Sequence, residues 1–236
     1  DKWLKAGIME EGNISFPDTG TPQGGVASPL LANVYLHYVL DTWFEETVKP
    51  LLKKRSSLVR YCDDFVMVFE DHTDCKRVYT ALEKRMNRYS LSLHPEKTQI
   101  VDFRFKKPEN PPSWMDLYDT KFSFLGFSHV WGKSLKGKPV VYQLTAKDRI
   151  ARTLARINLF CRKVRHWSLP DQYKSLCQKL NGHYAYFGIT GNHRQLRKIK
   201  HGVERIWKKW LSKRSRESEI PWKEFHSDYL NYYKNK

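Results

Sequence analysis

The stretch RYCDDFVMVF, Arg60–Phe69, decides the fold. Two adjacent carboxylates, Asp63 and Asp64, interrupt two runs that otherwise read as strand. On one side Val59 and Tyr61 alternate with polar Arg60; on the other Phe65, Met67 and Phe69 share one strand face. Asp tolerates unusual turn dihedrals, so the pair is expected to form the turn of a β-hairpin. The apolar strand that follows implies a hairpin packed into its domain, with the carboxylates at a buried rim. Two unit charges about 4 Å apart repel by roughly 4 kcal/mol at an effective dielectric of 20. Such a pair calls for a counter-charge, and a divalent cation that takes oxygen ligands supplies one. The plain alternative is an acidic turn without chemistry.

Upstream, residues 13–27 are rich in Gly, Pro and Thr and read as a loop. Ser28-Pro29 opens a helix, with Ser as N-cap and Pro at the first helical position. Its continuation, LLANVYLHYVLDTWFEETV, is apolar on nearly all sides at first, which predicts burial under a sheet. Pro50 ends it. Downstream, Thr73 caps a helix to about Tyr89, and HPEKTQIVDF (94–103) reads as a strand. KKPENPPS (106–113) is a connector; FSFLGFSHVW and KPVVYQL read as two strands joined by the basic turn GKSLKGK. From Thr145 the period changes. Thr145 with Asp148 resembles a capping box, and Ile150, Leu154, Ile157, Cys161 and Val164 hold helical spacing. A second helix runs from about Pro170 to Phe187, a third starts at Asn192, and a short one begins at Pro221. Three amphipathic helices with short links form a bundle. The expected class is therefore α+β, with a sheet-bearing module over 1–144 and a helical module over 145–236.

Charge divides the chain at nearly the same place. Lys and Arg number 42 against 25 Asp and Glu, a net charge of +17, which points to a polyanionic partner, nucleic acid before membrane. Residues 1–140 hold 20 basic and 18 acidic side chains, whereas residues 141–236 hold 22 and 7. The third helix alone carries Arg194, Arg197, Lys198, Lys200, Arg205, Lys208 and Lys209. Trp207 and Trp210 belong to its apolar stripe and read as core, not as stacking platforms for bases. The four cysteines are scattered without a CxxC pair, so no zinc site is expected and a reduced cytoplasmic setting fits. No apolar run is long enough to span a membrane, and no membrane partner is expected.

Four blocks now stand in one order: GTPQGGVASPLLANVYLHYVLD, RYCDDFVMVF, LSLHPEKTQIVDF and FSFLGF. They resemble those of bacterial group II intron reverse transcriptases. LNGHYAYFGITGN and VERIWKKWLSKRS resemble the thumb and maturase region of the same family, so the likeness covers essentially the whole chain. The resemblance implies a partial polymerase palm with a YxDD hairpin over 1–144, followed by an all-α thumb over 145–236. The variable YxDD position, usually Ala in this group, is Cys62, small enough for activity to survive.

The resemblance also implies site residues. Asp63 and Asp64 match the catalytic carboxylates that hold two Mg²⁺ ions, with Mn²⁺ as a substitute. Since consecutive strand side chains face opposite ways, Asp63 is expected to be the stronger ligand and Asp64 the supporting one. Tyr61 and Cys62 would lie by the primer end. Gln23 and Gly24, in the PQG block, match the nucleotide pocket and a close backbone approach to template. Lys97 matches a lysine that meets the leaving pyrophosphate, and Leu125-Gly126-Phe127 the primer grip. Partners would be an intron RNA template, a DNA primer or target and dNTPs; a homodimer stays open. A third carboxylate is implied upstream of the PQG block, and neither Asp18 nor Asp41 stands in its context. The 236-residue chain is therefore expected not to polymerise alone. Two rivals remain: a maturase that binds intron RNA without copying it, and a reverse transcriptase of a lineage tied to immunity or diversification.

Overall fold

The computed structural model describes residues 8–10, 13–15, 28–104, 121–214 and 219–227. The chain forms two compact units, Asp1–Gln99 and Ile100–Lys236. This packing boundary lies well before the 144/145 division drawn from periodicity and charge. The second sheet closes with the helices that follow it, so a change in sequence pattern does not mark a change of packing unit.

In the first unit, β1 (Ile8–Glu10) and β2 (Asn13–Ser15) pair antiparallel. The segment read as a loop from residue 13 thus begins as a strand. Helix α1 (Ser28–Leu36) runs on through π-helical turns at His37–Asp41 and Trp43–Val48 and ends in a 3₁₀ turn, Lys49–Leu51, that contains Pro50. Only its second half is buried, through Val39, Leu40, Trp43, Phe44 and Val48. The expectation that its apolar start is covered by a sheet does not hold, because Leu30, Val34, Tyr35 and Tyr38 are exposed. The π-helical turns shift carbonyls off the usual i→i+4 ladder. Arg85 serves two of them, donating from Nε to Val39 O at 3.1 Å and from Nη2 to Tyr38 O at 3.5 Å.

β3 (Ser56–Tyr61) and β4 (Asp64–Phe69) form the expected hairpin, in register from Ser56 opposite Phe69 to Tyr61 opposite Asp64. Helix α2 (His72–Arg88) covers it. Its cap is Asp71, which accepts from the Asp74 amide, and not Thr73. Asp lies one residue before the helix proper, where its carboxylate reaches the orphan amides. Val78, Leu82 and Met86 of α2 join Val39, Leu40 and Phe44 in the core, with Leu58, Phe65, Met67 and Phe69 packed against them. The stretch 94–103 is not a strand. Its chain turns at 95–97, with Lys97 N and Thr98 N both donating to His94 O, at 3.2 and 2.9 Å. Proline at 95 favours that turn over ladder pairing.

The second unit carries β5 (Phe122–Phe124), β6 (Phe127–Lys133) and β7 (Pro139–Thr145) in antiparallel order. There are three strands where two were expected, because Leu125-Gly126 turns the chain inside FSFLGF. Helices α3 (Lys147–Lys163), α4 (Leu169–Phe187) and α5 (His193–Ser212) form the predicted bundle, followed by a single turn, α6 (Trp222–Glu224). Ile157, Cys161, Leu176, Ile199, Val203, Trp207 and Leu211 make its core, closed by Ile220 and Phe225. Gly202 lets α3 and α5 approach closely: a Cβ there would lie 2.6 Å from Leu154 Cδ2.

The capping box at Thr145 and Asp148 does not form. Thr145 ends β7, Ala146 occupies the cap, and Asp148 pairs with Arg152. Thr145 instead exchanges two bonds with the fully buried Asn192: its N donates to Asn192 Oδ1 at 2.9 Å, and its Oγ1 accepts from Asn192 Nδ2 at 2.7 Å. Asn192 Nδ2 also donates to Phe187 O at 2.8 Å. One amide thus ties the sheet's last strand to the α4–α5 corner. Buried polar groups must find partners, and here that need outcompetes the local cap.

Candidate active site and nucleic-acid face

The hairpin turn consists of Cys62 and Asp63, not of the two aspartates. Tyr61 pairs with Asp64, and the residue in the left-handed region is Cys62, at φ 55°. Asp63 therefore sits at the tip and Asp64 opens β4. A turn residue has no strand face, so strand alternation does not rank Asp63 above Asp64 as a ligand. Both carboxylates are exposed, so the buried rim expected from the apolar flanks is absent. At water's dielectric their repulsion falls to about 1 kcal/mol and does not by itself demand a cation.

On β4 the apolar face of Phe65, Met67 and Phe69 turns to the core as expected, whereas β3 is the reverse of the apolar-in reading. Val59 and Tyr61 are 54% and 63% exposed, while polar Arg60 points inward beside Leu58 and Phe65. Arg60 is tolerated there because Asp41 receives it in a two-pronged pair, Nε to Oδ1 at 2.8 Å and Nη2 to Oδ2 at 2.6 Å. The Arg60 guanidinium bonded to it, opposed by burial, holds the Asp41 carboxyl below its usual 3.8.

Among the described residues, neither Asp63 nor Asp64 has a side-chain hydrogen bond or ion pair, and no three-residue metal cluster exists. Two free carboxylates, adjacent on one hairpin, fit a hard divalent ion, which Mg²⁺-type sites hold through one or two carboxylates plus water and substrate phosphate. Asp64 shares the exposed face of the hairpin with Tyr61 and Val59. Lys97 is exposed on its own turn, with no ion pair to either aspartate among the described residues. Gln23 and Gly24 lie outside the described residues.

In the second unit, Leu125 (φ 49°) and Gly126 (φ 81°) form a two-residue turn with both dihedrals left-handed. Phe124 and Phe127 remain paired across it, so the segment is a hairpin turn and not a bulge in one strand. Helix α4 holds this turn: Tyr186 Oη donates to Leu125 O at 3.0 Å, and the Phe127 ring stacks on Tyr186 at 5.7 Å. Gly126→Ala should cost about 1–2 kcal/mol, the penalty of a Cβ in the left-handed region; the new methyl would meet nothing nearer than Arg149 Nε at 3.4 Å, so backbone strain and not a clash sets the cost. Denaturant unfolding checks it; an unchanged midpoint would mean that the turn relaxes.

The cations of α5 lie along its outer side, with Arg194, Arg197, Lys198, Lys200, Arg205 and Lys209 exposed. Among these and Lys208, only Lys200 has a carboxylate within reach in the described residues, Glu204 at 3.9 Å. Trp207 and Trp210 are core, as expected. Trp207 is 2% exposed, and Trp210 Nε1 donates to Asn158 at 2.9 Å.

What the sequence reading missed is the support. Asn33, Asp41, Arg60, Tyr186 and Asn192 hold the two hairpin turns and the sheet–helix corner. A weak signal existed for one of them: an arginine set between Val59 and Tyr61 near the end of a strand needs an acid within reach.

The described residues thus form an α+β chain with paired carboxylates on a tight hairpin, followed in sequence by a basic helical bundle. The family described as "Reverse transcriptase (RNA-dependent DNA polymerase)" matches residues 1–129, and the chain belongs to it. It is 39% identical over 261 residues to the "Uncharacterized 91 kDa protein in cob intron" of Schizosaccharomyces pombe, covering 81% of this chain and 30% of that protein. It is 58% identical over 112 residues to the "Group II intron-encoded protein LtrA" of Lactococcus lactis subsp. cremoris, covering 43% of this chain and 19% of that one. A 27% match over 148 residues reaches the "Putative COX1/OXI3 intron 1 protein" of Saccharomyces cerevisiae, covering 42% and 18%. The chain thus spans less than a third of the length of these relatives. The likeness to intron-encoded reverse transcriptases and maturases read from the four blocks is borne out.

Proposed function

We propose that this chain is the palm and thumb portion of a group II intron RNA-directed DNA polymerase, which also binds its intron RNA as a maturase. The observation that carries the proposal is the exposed, unpartnered Asp63–Asp64 pair on a tight hairpin in a reverse transcriptase family chain. In the reaction, a primer 3′-oxygen bonds to the α-phosphorus of a dNTP while the α–β bridging bond breaks and pyrophosphate leaves. The hydroxyl proton passes to solvent. Asp63 and Asp64 would hold the Mg²⁺ or Mn²⁺ ions. When bound, two such ions supply charge stabilisation at both the attacking and the leaving oxygen. Tyr61, exposed on the Asp64 side, would rest against the primer end, with Cys62 beside it. Lys97 would meet the pyrophosphate, and Gly126 would let the Leu125–Gly126 turn approach the primer backbone. Gln23 would line the nucleotide pocket, and Gly24 would let the backbone approach the template strand closely. The cytoplasm is the compartment this reading implies.

Primer extension on an RNA template, in the longest natural frame that contains this chain, tests the polymerase reading, with Asp63→Asn alongside. The basic face is tested separately by affinity for an RNA–DNA duplex against salt. If about six phosphates are neutralised, log K should fall with log salt at a slope of about −4 to −5. A slope near zero would remove the α5 face from nucleic-acid binding.

A further inference from the structure

We propose that Arg60 is a positioning residue of the reaction: its guanidinium braces the Cys62–Asp63 turn against the helix that begins at Ser28. The proposal rests on the polymerase reading above.

A guanidinium is a rigid planar fork of five donors, and here three partners share it. Nε and Nη2 engage Asp41, while Nη1 donates both to Asn33 Oδ1 and to the carbonyl oxygen of Cys62, each at 2.8 Å. The first two partners belong to the helix, and the third belongs to the turn that carries Asp63. Only 12% of the arginine side chain is exposed, and its bonds to Asp41 and Asn33 are part-buried, while the bond to Cys62 lies at the exposed turn.

The helix is shaped for this grip. In an unbroken α-helix, residues eight apart lie about 80° round the axis from each other. Asn33 and Asp41 nonetheless meet one guanidinium. Between them the helix widens into the π-helical turn His37–Asp41, which takes extra chain per turn and brings Asp41 round towards Asn33. Such π-helical turns often mark functional places.

The turn also needs holding. Cys62 has a Cβ and stands at φ 55°, a conformation that costs roughly 1–2 kcal/mol. It persists where the surroundings over-determine it, and the Arg60 bond to its own carbonyl is one such constraint. Arg60 touches neither substrate nor reacting atoms in this scheme. It acts by fixing where the two aspartates stand.

Lysine keeps the charge and can pair with Asp41, but one ammonium cannot span all three partners. Arg60→Lys is therefore expected to lower kcat for primer extension by about 10²-fold, the loss a misplacement near 1 Å produces. The dNTP KM should stay within about threefold of its original value, and half-maximal extension should require more Mg²⁺. A purely structural role would move the melting temperature without moving that Mg²⁺ dependence. Asn33→Ala, which removes one anchor and leaves the Asp41 pair, should show the same signature more weakly. It decides the matter should Arg60→Lys fail to fold, as judged by circular dichroism. Normal kcat and Mg²⁺ dependence in the folded variants, with Asp63→Asn inactive, overturn this proposal alone. All of these variants are made in the longest natural frame that contains this chain, and no extension by the unsubstituted protein in that frame overturns the polymerase reading and this proposal with it.

Discussion

Asp63→Asn should abolish primer extension while leaving the fold untouched. Asparagine matches aspartate in size and suits a tight turn. The Asp63 side chain is exposed and has no hydrogen-bond partner among the described residues, so nothing in the scaffold is lost with its charge. The melting temperature should hold, and kcat should fall by at least about 10²-fold, the cost of removing one group that stabilises transition-state charge. Asp64→Asn should act in the same direction, since its carboxylate opens β4, one residue along the same hairpin. Extension lost in the variants and present in the unsubstituted protein establishes the pair as the metal-holding site. Absence of extension in all of them, with tight intron RNA binding retained, would move the assignment to a splicing cofactor that binds without copying.

The largest effect on stability should come from Trp207→Ala. The ring is 2% exposed and meets Phe225 edge-on at 5.5 Å and Tyr173 at 6.0 Å. It lies where α4, α5 and the segment 219–227 converge. Truncating a buried Trp costs about 3–5 kcal/mol through lost transfer energy and the cavity left behind. A second loss adds to it. Trp207 Nε1 donates to Gln172 Oε1 at 3.0 Å, and Gln172 is itself buried, its Nε2 donating to Arg165 O and Trp167 O. Removing the indole orphans that oxygen at a further cost of about 1–3 kcal/mol. Against a typical domain stability of about 5–15 kcal/mol, the second unit should be largely unfolded or close to it. Trp207→Phe keeps an aromatic ring in the core but loses the pyrrole part with its donor, so it still orphans Gln172 Oε1 and should cost less than Trp207→Ala by most of the cavity term. Urea unfolding followed by circular dichroism compares the two. Equal midpoints for Trp207→Ala and the unsubstituted chain would show that this core closes without the indole.

Where sequence reading succeeded and failed follows one line. The hairpin, the amphipathic helices and the basic outer side of α5 were legible because each is written in residues a few positions apart. Period two, period 3.6 and turn chemistry are local signals. The stretch 94–103 was misread because its apolar residues mimic a strand while Pro95 turns the chain. The split of FSFLGF was missed because Leu is a poor indicator of a left-handed turn; only the following Gly hinted at it. Thr145 looked like a cap because Asp148 stands three residues on, yet its hydroxyl was claimed by an asparagine remote in sequence.

The candidate site shows the same division. From the sequence alone came the two carboxylates, their place at a hairpin, the family blocks and the uneven charge. Tertiary structure decided that Cys62 and Asp63 make the turn, that Arg60 faces inward, and that Asp41 and Asn33 receive it. It also decided that α4 holds the Leu125–Gly126 turn through Tyr186. The physical reason is that backbone propensity and burial pattern are properties of neighbours in the chain. The satisfaction of a buried guanidinium, amide or carbonyl is a property of whatever distant groups the packed fold brings within 3 Å.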